Sequence, residues 1–402
     1  LVSSANSLPL ARIGLGIAHT YANRLNDATH CFKGVLKVDD RNLIAYSYLA
    51  IINFKQKGDY NDKEFVRLLL HTRDIYTQKK ELNNTGPYAA FHMLLQHVNL
   101  HRLLSREDMK PYEENYNHFR QIQKKMRSIQ NECHDPIVKG EAHFQFGRIY
   151  HLCNNFDKAE AHYKQAIEFN PDHAWARLAL ARFRISTEPA EVISLLTGRR
   201  QLIENAESRM LLGMAHTHLY KQTSANEHMQ SAIANLSNCT RIVSNLESMS
   251  RPTGLTPSEK SAVHETLGWL YMKSLRFQDA EINFRKATEE IEPNDQLLHM
   301  WGVALFQLNR AADALEQFHR VKEETPVLRF NIARAMEVVY QKEDAKAIYN
   351  SLIDEYKSFP EPYLRMGQIA QDQGRIEEAI KYYQQCTQFS AAKCPRAILA
   401  LV

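Results

Sequence analysis

Residues 146–171 read FGRIYHLCNNFDKAEAHYKQAIEFNP. Two histidines, a cysteine, three acids and two tyrosines in so short a span have the composition of a catalytic site. The spacing says otherwise. Counted from Gly147, small or aromatic residues fall at Tyr150, Ala159, Tyr163 and Ala166, with Pro171 closing the stretch. The same offsets recur from Gly16 (His19, Ala28, Phe32, Val35), from Gly268 (Tyr271, Ala280, Phe284, Ala287, with Pro293 one residue late) and from Gly302 (Leu305, Ala314, Phe318, Val321, Pro326). From Gly367 they give Ala370, Ala379, Tyr383 and Cys386; from Gly213 they give His216, Ala225, Met229 and Ala232; Ala333, Ala345, Tyr349 and Leu352 continue the series. The stretch is one tile of a repeating pattern, so its composition needs no catalytic explanation.

This small-residue, aromatic and proline pattern resembles the tetratricopeptide repeat, whose period is about 34 residues. A glycine or alanine on each helix of a pair lets the backbones approach where they cross, at roughly 8–10 Å between axes. The aromatic fills the space towards the next pair, and the late proline is expected to end the second helix, because it lacks an amide hydrogen and disfavours helix in the residue before it. One pair cannot bury its own apolar face, so pairs must stack. The fold class expected is all-α, a superhelical solenoid of antiparallel helix pairs.

The 402 residues are 44% hydrophobic and 24% charged, with only 14 glycines and 13 prolines, which leaves little room for β-turns. No apolar run reaches the ~20 residues that span a bilayer, and no basic-then-apolar leader opens the chain. The six cysteines (Cys31, Cys133, Cys153, Cys239, Cys386, Cys394) show no paired spacing, which points to reduced thiols in a cytosolic or nuclear protein. The net charge of +4 is too small to imply a nucleic-acid partner. The first residue is not methionine and the chain stops inside the apolar AILALV, so it reads as a fragment of something longer.

The small residues of successive first helices are Gly16, Ala50, Gly147, Ala181, Gly213, Gly268, Gly302, Ala333 and Gly367. Two intervals are long: 97 residues from Ala50 to Gly147 and 55 from Gly213 to Gly268. The first is read as degenerate, with a helix after Gly58-Asp59 and a longer pair within 87–130. The second is read as an extended helix through 235–249 followed by a loop at 251–260, where Thr256-Pro257-Ser258-Glu259 is a helix start. Around Ala181 the second helix is short, PAEVISLLTG, closed by Gly198. The organisation expected is N-terminal repeats over 1–58, degenerate repeats over 59–138, central repeats with the extended helix over 139–250, the loop 251–260, and C-terminal repeats over 261–402.

Chemistry is sparse. His97 and His101 in HMLLQHVNLH (92–101) are four apart, as two zinc ligands would be, with His92 nearby, but no glutamate follows His97 and no third ligand is evident. Cys133-His134 and His151 with Cys153 are weaker still. There is no P-loop, GxGxxG or GxSxG. No cofactor, metal or active site is expected. The basic pairs Lys79-Lys80, Lys124-Lys125 and Arg199-Arg200 are interleaved with acids and read as solvated helix faces.

The first helices of such an array line its concave side. Projecting the offsets puts Phe144, Arg148, Met210, Met214, Trp269, Met272, Phe306, Phe330 and Arg334 there, a groove of aromatic and methionine anchors with two arginines, suited to an extended segment of a partner. A register one residue off would make them core instead. A clamp for a C-terminal carboxylate needs lysine and asparagine four apart; the matching positions hold Phe144 and Arg148, Glu265 and Trp269, or His299 and Val303, which does not support one.

Three stretches in order, ARIGLGIAHTYANRLNDATHCFKGVL (11–36), FGRIYHLCNNFDKAEAHYKQA (146–166) and FNIARAMEVVYQKEDAKAIYNSLIDEYKSFPEPYLRMGQIAQDQGRIEEA (330–379), resemble the large tetratricopeptide scaffold subunit of the RNA polymerase II-associated factor (Paf) elongation complex. YLRMGQIAQDQGRIEEA and the F-x-x-A-R of FNIARA carry the likeness furthest; residues 59–130 depart most. The resemblance implies a non-catalytic nuclear scaffold that holds other Paf subunits, associates with RNA polymerase II and couples elongation to histone modification; the charge and hydropathy read above add the expectation of no direct nucleic-acid or membrane contact. Two other classes fit the repeats alone: the targeting arm of a larger enzyme, such as a glycosyltransferase, and a cytoplasmic adaptor or co-chaperone.

Overall fold

In a computed structural model of the chain, residues 9–57 and 136–389 are described apart from single positions at 23, 153, 199, 252 and 340, together with a few positions between 63 and 131. Every regular element among the described residues is a helix. In order these are α1 (Pro9–Tyr21), α2 (Leu25–Leu36), α3 (Leu43–Lys57), α4 (Pro136–Leu152), α5 (Phe156–Phe169), α6 (Ala174–Arg184), α7 (Pro189–Leu196), α8 (Arg200–Ile203) and α9 (Ala206–Thr223). They continue as α10 (Asn226–Ser248), α11 (Pro257–Lys273), α12 (Phe277–Glu290), α13 (Asp295–Gln307), α14 (Ala311–His319), α15 (Pro326–Val338), α16 (Lys342–Glu355), α17 (Pro360–Asp372) and α18 (Ile376–Phe389). Contacts group the chain into two units, residues Leu1–Arg184 and Ile185–Val402.

Within each unit the helices pair as antiparallel hairpins. The first contains α1 with α2 and α4 with α5; the second contains α9 with α10, α11 with α12, α13 with α14, α15 with α16 and α17 with α18. The glycine-to-aromatic spacing is the hairpin contact itself. A Cβ on Gly147 would lie 2.5 Å from Tyr163 Cε1, on Gly268 2.4 Å from Phe284 Cε1, on Gly302 2.4 Å from Phe318 Cε1, and on Gly367 2.6 Å from Tyr383 Cε1. Gly16 meets Phe32 in the same way. The aromatics and their flanking alanines, such as Ala280 and Ala287 around Phe284, are fully buried. Each such ring contributes about 1.5–3 kcal/mol by burial.

The turn between paired helices has a fixed place too. Seven residues after the glycine the backbone enters the left-handed region, at Asn154, Leu275, Asn309 and Gly374. Asparagine and glycine tolerate that conformation readily; Leu275 adopts it with its side chain 74% exposed. Four of the first helices are capped by side chains: Asn205, Asn294 and Thr325 accept from the backbone three residues on, and Thr256 forms a reciprocal capping box with Glu259 at the start of α11.

Two expectations are corrected. Pro171 directly follows Asn170, the C-cap of α5, as expected, but Pro326 marks a start instead of an end: it lies in the first turn of α15, well after α14 closes at His319, and Pro189, Pro257 and Pro360 open helices in the same way. There the missing amide hydrogen has no intrahelical partner to lose. The register after Gly213 also differs. Its Cβ position is 2.4 Å from Leu236 Cγ, Ala225 is an exposed residue just ahead of α10, and Met229 is only half-buried. The buried triad is Ala232, Leu236 and Cys239, the expected set moved on by seven residues, or about two helical turns. The extended helix is α10, which runs to Ser248 before the loop that leads to Thr256.

Candidate functional site

The first helices α9, α11, α13 and α15 contact one another in succession. On α9 and α11, Thr266 Oγ1 reaches Met214 Sδ at 3.6 Å, and the edge of Tyr220 meets Trp269 with ring centroids 5.9 Å apart. Lys221 Nζ and Lys273 Nζ lie 5.1 and 5.7 Å from the Trp269 ring centroid. Further along, the Arg334 guanidinium of α15 sits 4.8 Å from the centroid of Phe306 on α13, and Asn331 Nδ2 donates to His299 Nε2 at 2.8 Å. Burial keeps His299 neutral by lowering its pKa. Phe330 packs edgewise on Phe359, with centroids 5.7 Å apart, and leans on Tyr349.

Beyond Arg334 the face is closed by an ion pair. Arg365 of α17 donates from Nε to Glu337 Oε2 at 3.3 Å and from a second nitrogen to Oε1, and the Tyr349 hydroxyl donates to the same carboxylate at 3.2 Å. Burial raises the Tyr349 pKa, and the neighbouring Glu337 charge adds to it. Val327 and Val338, at the two ends of α15, are exposed. The surface is thus a set of half-buried aromatic and thioether groups with cations over their faces.

Of the residues expected to line a groove, Met214, Trp269, Met272, Phe306, Phe330 and Arg334 are half-buried on α9, α11, α13 and α15. Met210 is not available: it is 6% exposed, on the helix against which α7 packs. In the first unit, Phe144 is 7% exposed, its ring 4.8 Å from His173 and 5.9 Å from Tyr163, so it is core, as a register slip at that position would make it. Arg148 is half-buried, donates to Gln145 Oε1 at 3.2 Å and stands 6.0 Å from the Phe144 ring. Sequence reasoning missed Tyr220, Lys221 and Lys273. Lys273 follows Trp269 by one helical turn and could have been found by that spacing; Tyr220 and Lys221 reach the site because α9 is longer than the repeat pattern allows.

A cavity of about 290 Å³ lies where α10, the loop before Thr256, α11 and the end of α12 meet. Arg241, Lys260 and Lys286 line it together with Glu247, Glu289 and Glu290, so it carries no net sign of charge to select a ligand. Cys239, among its lining residues, is held as a thiol by burial, its pKa pushed up to about 12. Among the described residues, no three of His, Cys, Asp and Glu are grouped so as to hold a metal ion, and no helix is long and apolar enough to cross a membrane. His92, His97 and His101, and Lys79-Lys80, lie outside the described residues, as do Cys133-His134 and Cys153.

Two family models match the chain: "TPR repeat" over residues 147–182 and "Tetratricopeptide repeat" over residues 360–393. The chain carries tetratricopeptide repeats. Both matched stretches fall on glycine–tyrosine contacts, Gly147 with Tyr163 and Gly367 with Tyr383. Over 95% of its length the chain is similar to the RNA polymerase-associated protein CTR9 of Caenorhabditis elegans, at 23% identity, and covers 33% of that protein. It is 21% identical to the CTR9 homolog of Arabidopsis thaliana over 92% of this chain and 35% of the relative. The chain therefore spans about a third of the length of these curated relatives. Among solved structures, it is similar to YrrB, a tetratricopeptide-repeat protein, at 15% identity and a TM-score of 0.36, covering 59% of this chain and 96% of that one.

Proposed function

We propose that this chain is the repeat-bearing portion of a scaffold subunit in a Paf-type complex that associates with RNA polymerase II. The observation that carries the reading is the similarity to two CTR9 proteins, which runs along nearly the whole chain and not only through its most regular repeats. The arrangement of the site is consistent with binding: it presents half-buried aromatic and thioether anchors for side chains. On this reading the protein works in the nucleus, holds other subunits of the complex, and through them couples elongation to histone modification. No step requires a cofactor, a membrane or direct contact with nucleic acid.

The partner-binding face proposed comprises Met214, Trp269, Met272, Phe306, Phe330 and Arg334 of the second unit; Arg148, in the first unit, is proposed as a separate contact. Stacked pairs hold these groups rigidly, so an extended partner segment meets a surface that is already formed and loses less freedom on binding. The test is a tagged purification of the full-length protein from nuclear extract, for the wild type and for Phe330→Ala. RNA polymerase II with a constant set of elongation factors is the expected result, reduced in the variant at unchanged helicity. Recovery of chaperones, transport factors or a set of glycosylated clients would overturn the proposal.

A further inference from the structure

We infer that the Trp269 face binds an acidic protein segment built around an apolar side chain. The inference rests on the reading of the α9–α15 face as a binding groove and names what one end of it selects.

The cations on this face behave differently from those around them. Arg276 is paired with Asp279, Arg310 with Asp313, Arg329 with Glu355 and Arg365 with Glu337. Lys221 and Lys273 are both exposed, and neither has an ion-pair partner among the described residues. They come from different helices, the last turns of α9 and α11, yet both ammonium groups are placed over one indole. An indole face attracts cations, and here it holds two of them beside an aromatic surface that is itself only half-buried.

The other titratable groups on the face do not cancel this charge at the rim. Glu265, one turn before Trp269, is half-buried; burial raises its pKa while Lys221 opposes the shift. His218 is half-buried and kept neutral by burial, with Lys221 acting in the same direction. What a partner meets is therefore an aromatic platform flanked by two cations, with one recessed acid. A segment whose Asp or Glu side chains flank a Phe, Leu or Met would neutralise both lysines and cover the rest of the indole and Met272. Single-stranded nucleic acid would also stack on tryptophan near lysines. Two cations do not make a backbone track, and thioether groups favour an apolar side chain over a base.

The experiment is fluorescence anisotropy with the full chain and four labelled probes. One is a peptide of Asp and Glu around one Phe and one Leu; the second has Lys and Arg in place of the acids; the third keeps the acids and replaces Phe and Leu by Ala; the fourth is an oligouridine. The anchored acidic peptide is expected to bind roughly tenfold or more tighter than the basic one, and to weaken when salt is raised from about 0.05 to 0.3 M. The pair Lys221→Glu with Lys273→Glu, both exposed and so safe for folding, should reverse the preference towards the basic peptide. Trp269→Phe, which keeps a ring in place, should retain part of the affinity that Trp269→Ala loses, each checked by circular dichroism.

Equal binding of the acidic and basic peptides, no effect of the lysine reversal, or preference for the oligouridine would each overturn the inference. If Phe330→Ala weakens the peptide but the lysine reversal does not, the groove stands and the acidic specificity falls. If neither variant matters, both readings fall together.

Discussion

The hairpins α9–α10 and α11–α12 meet the same packing requirement with different numbers of residues. In α11–α12 the glycine at 268 faces an aromatic sixteen residues later, and the left-handed turn comes at Leu275. In α9–α10 the glycine at 213 faces Leu236, and the left-handed turn comes at Ser224. The turn has moved out by four residues and the partner by seven. Each helix has gained close to one turn, so the contact at the crossing is preserved while the tip of the hairpin is extended. Helix geometry permits that change, because about 3.6 residues return a side chain to the same face. The extension carries Tyr220 and Lys221 to Trp269. A length change in one hairpin thus supplies part of a surface that no single repeat contains.

The largest effect should separate the two registers directly. Leu236 is fully buried in the lengthened hairpin, whereas Met229 is half-buried. Leu236→Ala is expected to cost about 2–5 kcal/mol, as deletions in a packed core do, while Met229→Ala, at a position already half open to water, should cost clearly less. Thermal or urea melts followed by circular dichroism would show it. The reverse ranking would restore the unshifted register and remove the account of how Lys221 reaches its site.

That misreading shows where sequence is informative. Ala232 occupies the third place of the unshifted pattern and the first place of the shifted one, so it fits both, and nothing in the sequence of α10 chooses between them. The regular hairpins were readable because their demand is local: only glycine or alanine lets the backbone approach a ring so closely, and that demand leaves glycine at 147, 268, 302 and 367. The groove was less readable because its demand is not local. Phe144 and Met210 lie at the same offset within their repeats as Phe330, yet both are core, since exposure there depends on what packs alongside. His173 covers Phe144; no repeat offset encodes it. Pro326 was misassigned for a simpler reason, since the same missing amide that ends one helix is harmless in the first turn of the next.

A side chain at 302 would enter the space of Phe318, which is 1% exposed and has nowhere to move. Gly302→Leu should destabilise by about 1–3 kcal/mol or more, the cost of overpacking. Ala333 occupies the equivalent place opposite Tyr349, so one extra carbon can be accommodated when the hairpin is built around it. Gly302→Ala should therefore be the milder change of the two in the same melt. An unaltered melting curve for the leucine variant would mean that the helices do not cross at that residue.

The smallest expected effect compares one position in two hairpins. Four residues before the glycine, α4 carries His143 and α11 carries His264. His143 Nδ1 lies 3.0 Å from His162 Nδ1, so one ring donates, the other accepts, and both cannot be protonated. His264 Nδ1 instead donates to Asn283 Oδ1 at 2.9 Å, a bond that survives protonation of the ring. Burial, with His143 and Arg127 nearby, lowers the His162 pKa from 6.5 to about 4; burial also lowers that of His143, with Glu168 opposing. Above pH 6.5 the rings are neutral whether folded or unfolded and contribute no pH dependence. As the pH falls from 6.5 towards 4 the unfolded chain takes up the proton that the folded chain refuses, so stability is lost across that window and levels off beneath it. His162→Asn gives α4–α5 the pairing of α11–α12 and should shrink the fall in melting temperature between pH 7 and pH 4.5. An undiminished fall would place the acid sensitivity elsewhere and leave the two hairpins equivalent in this respect.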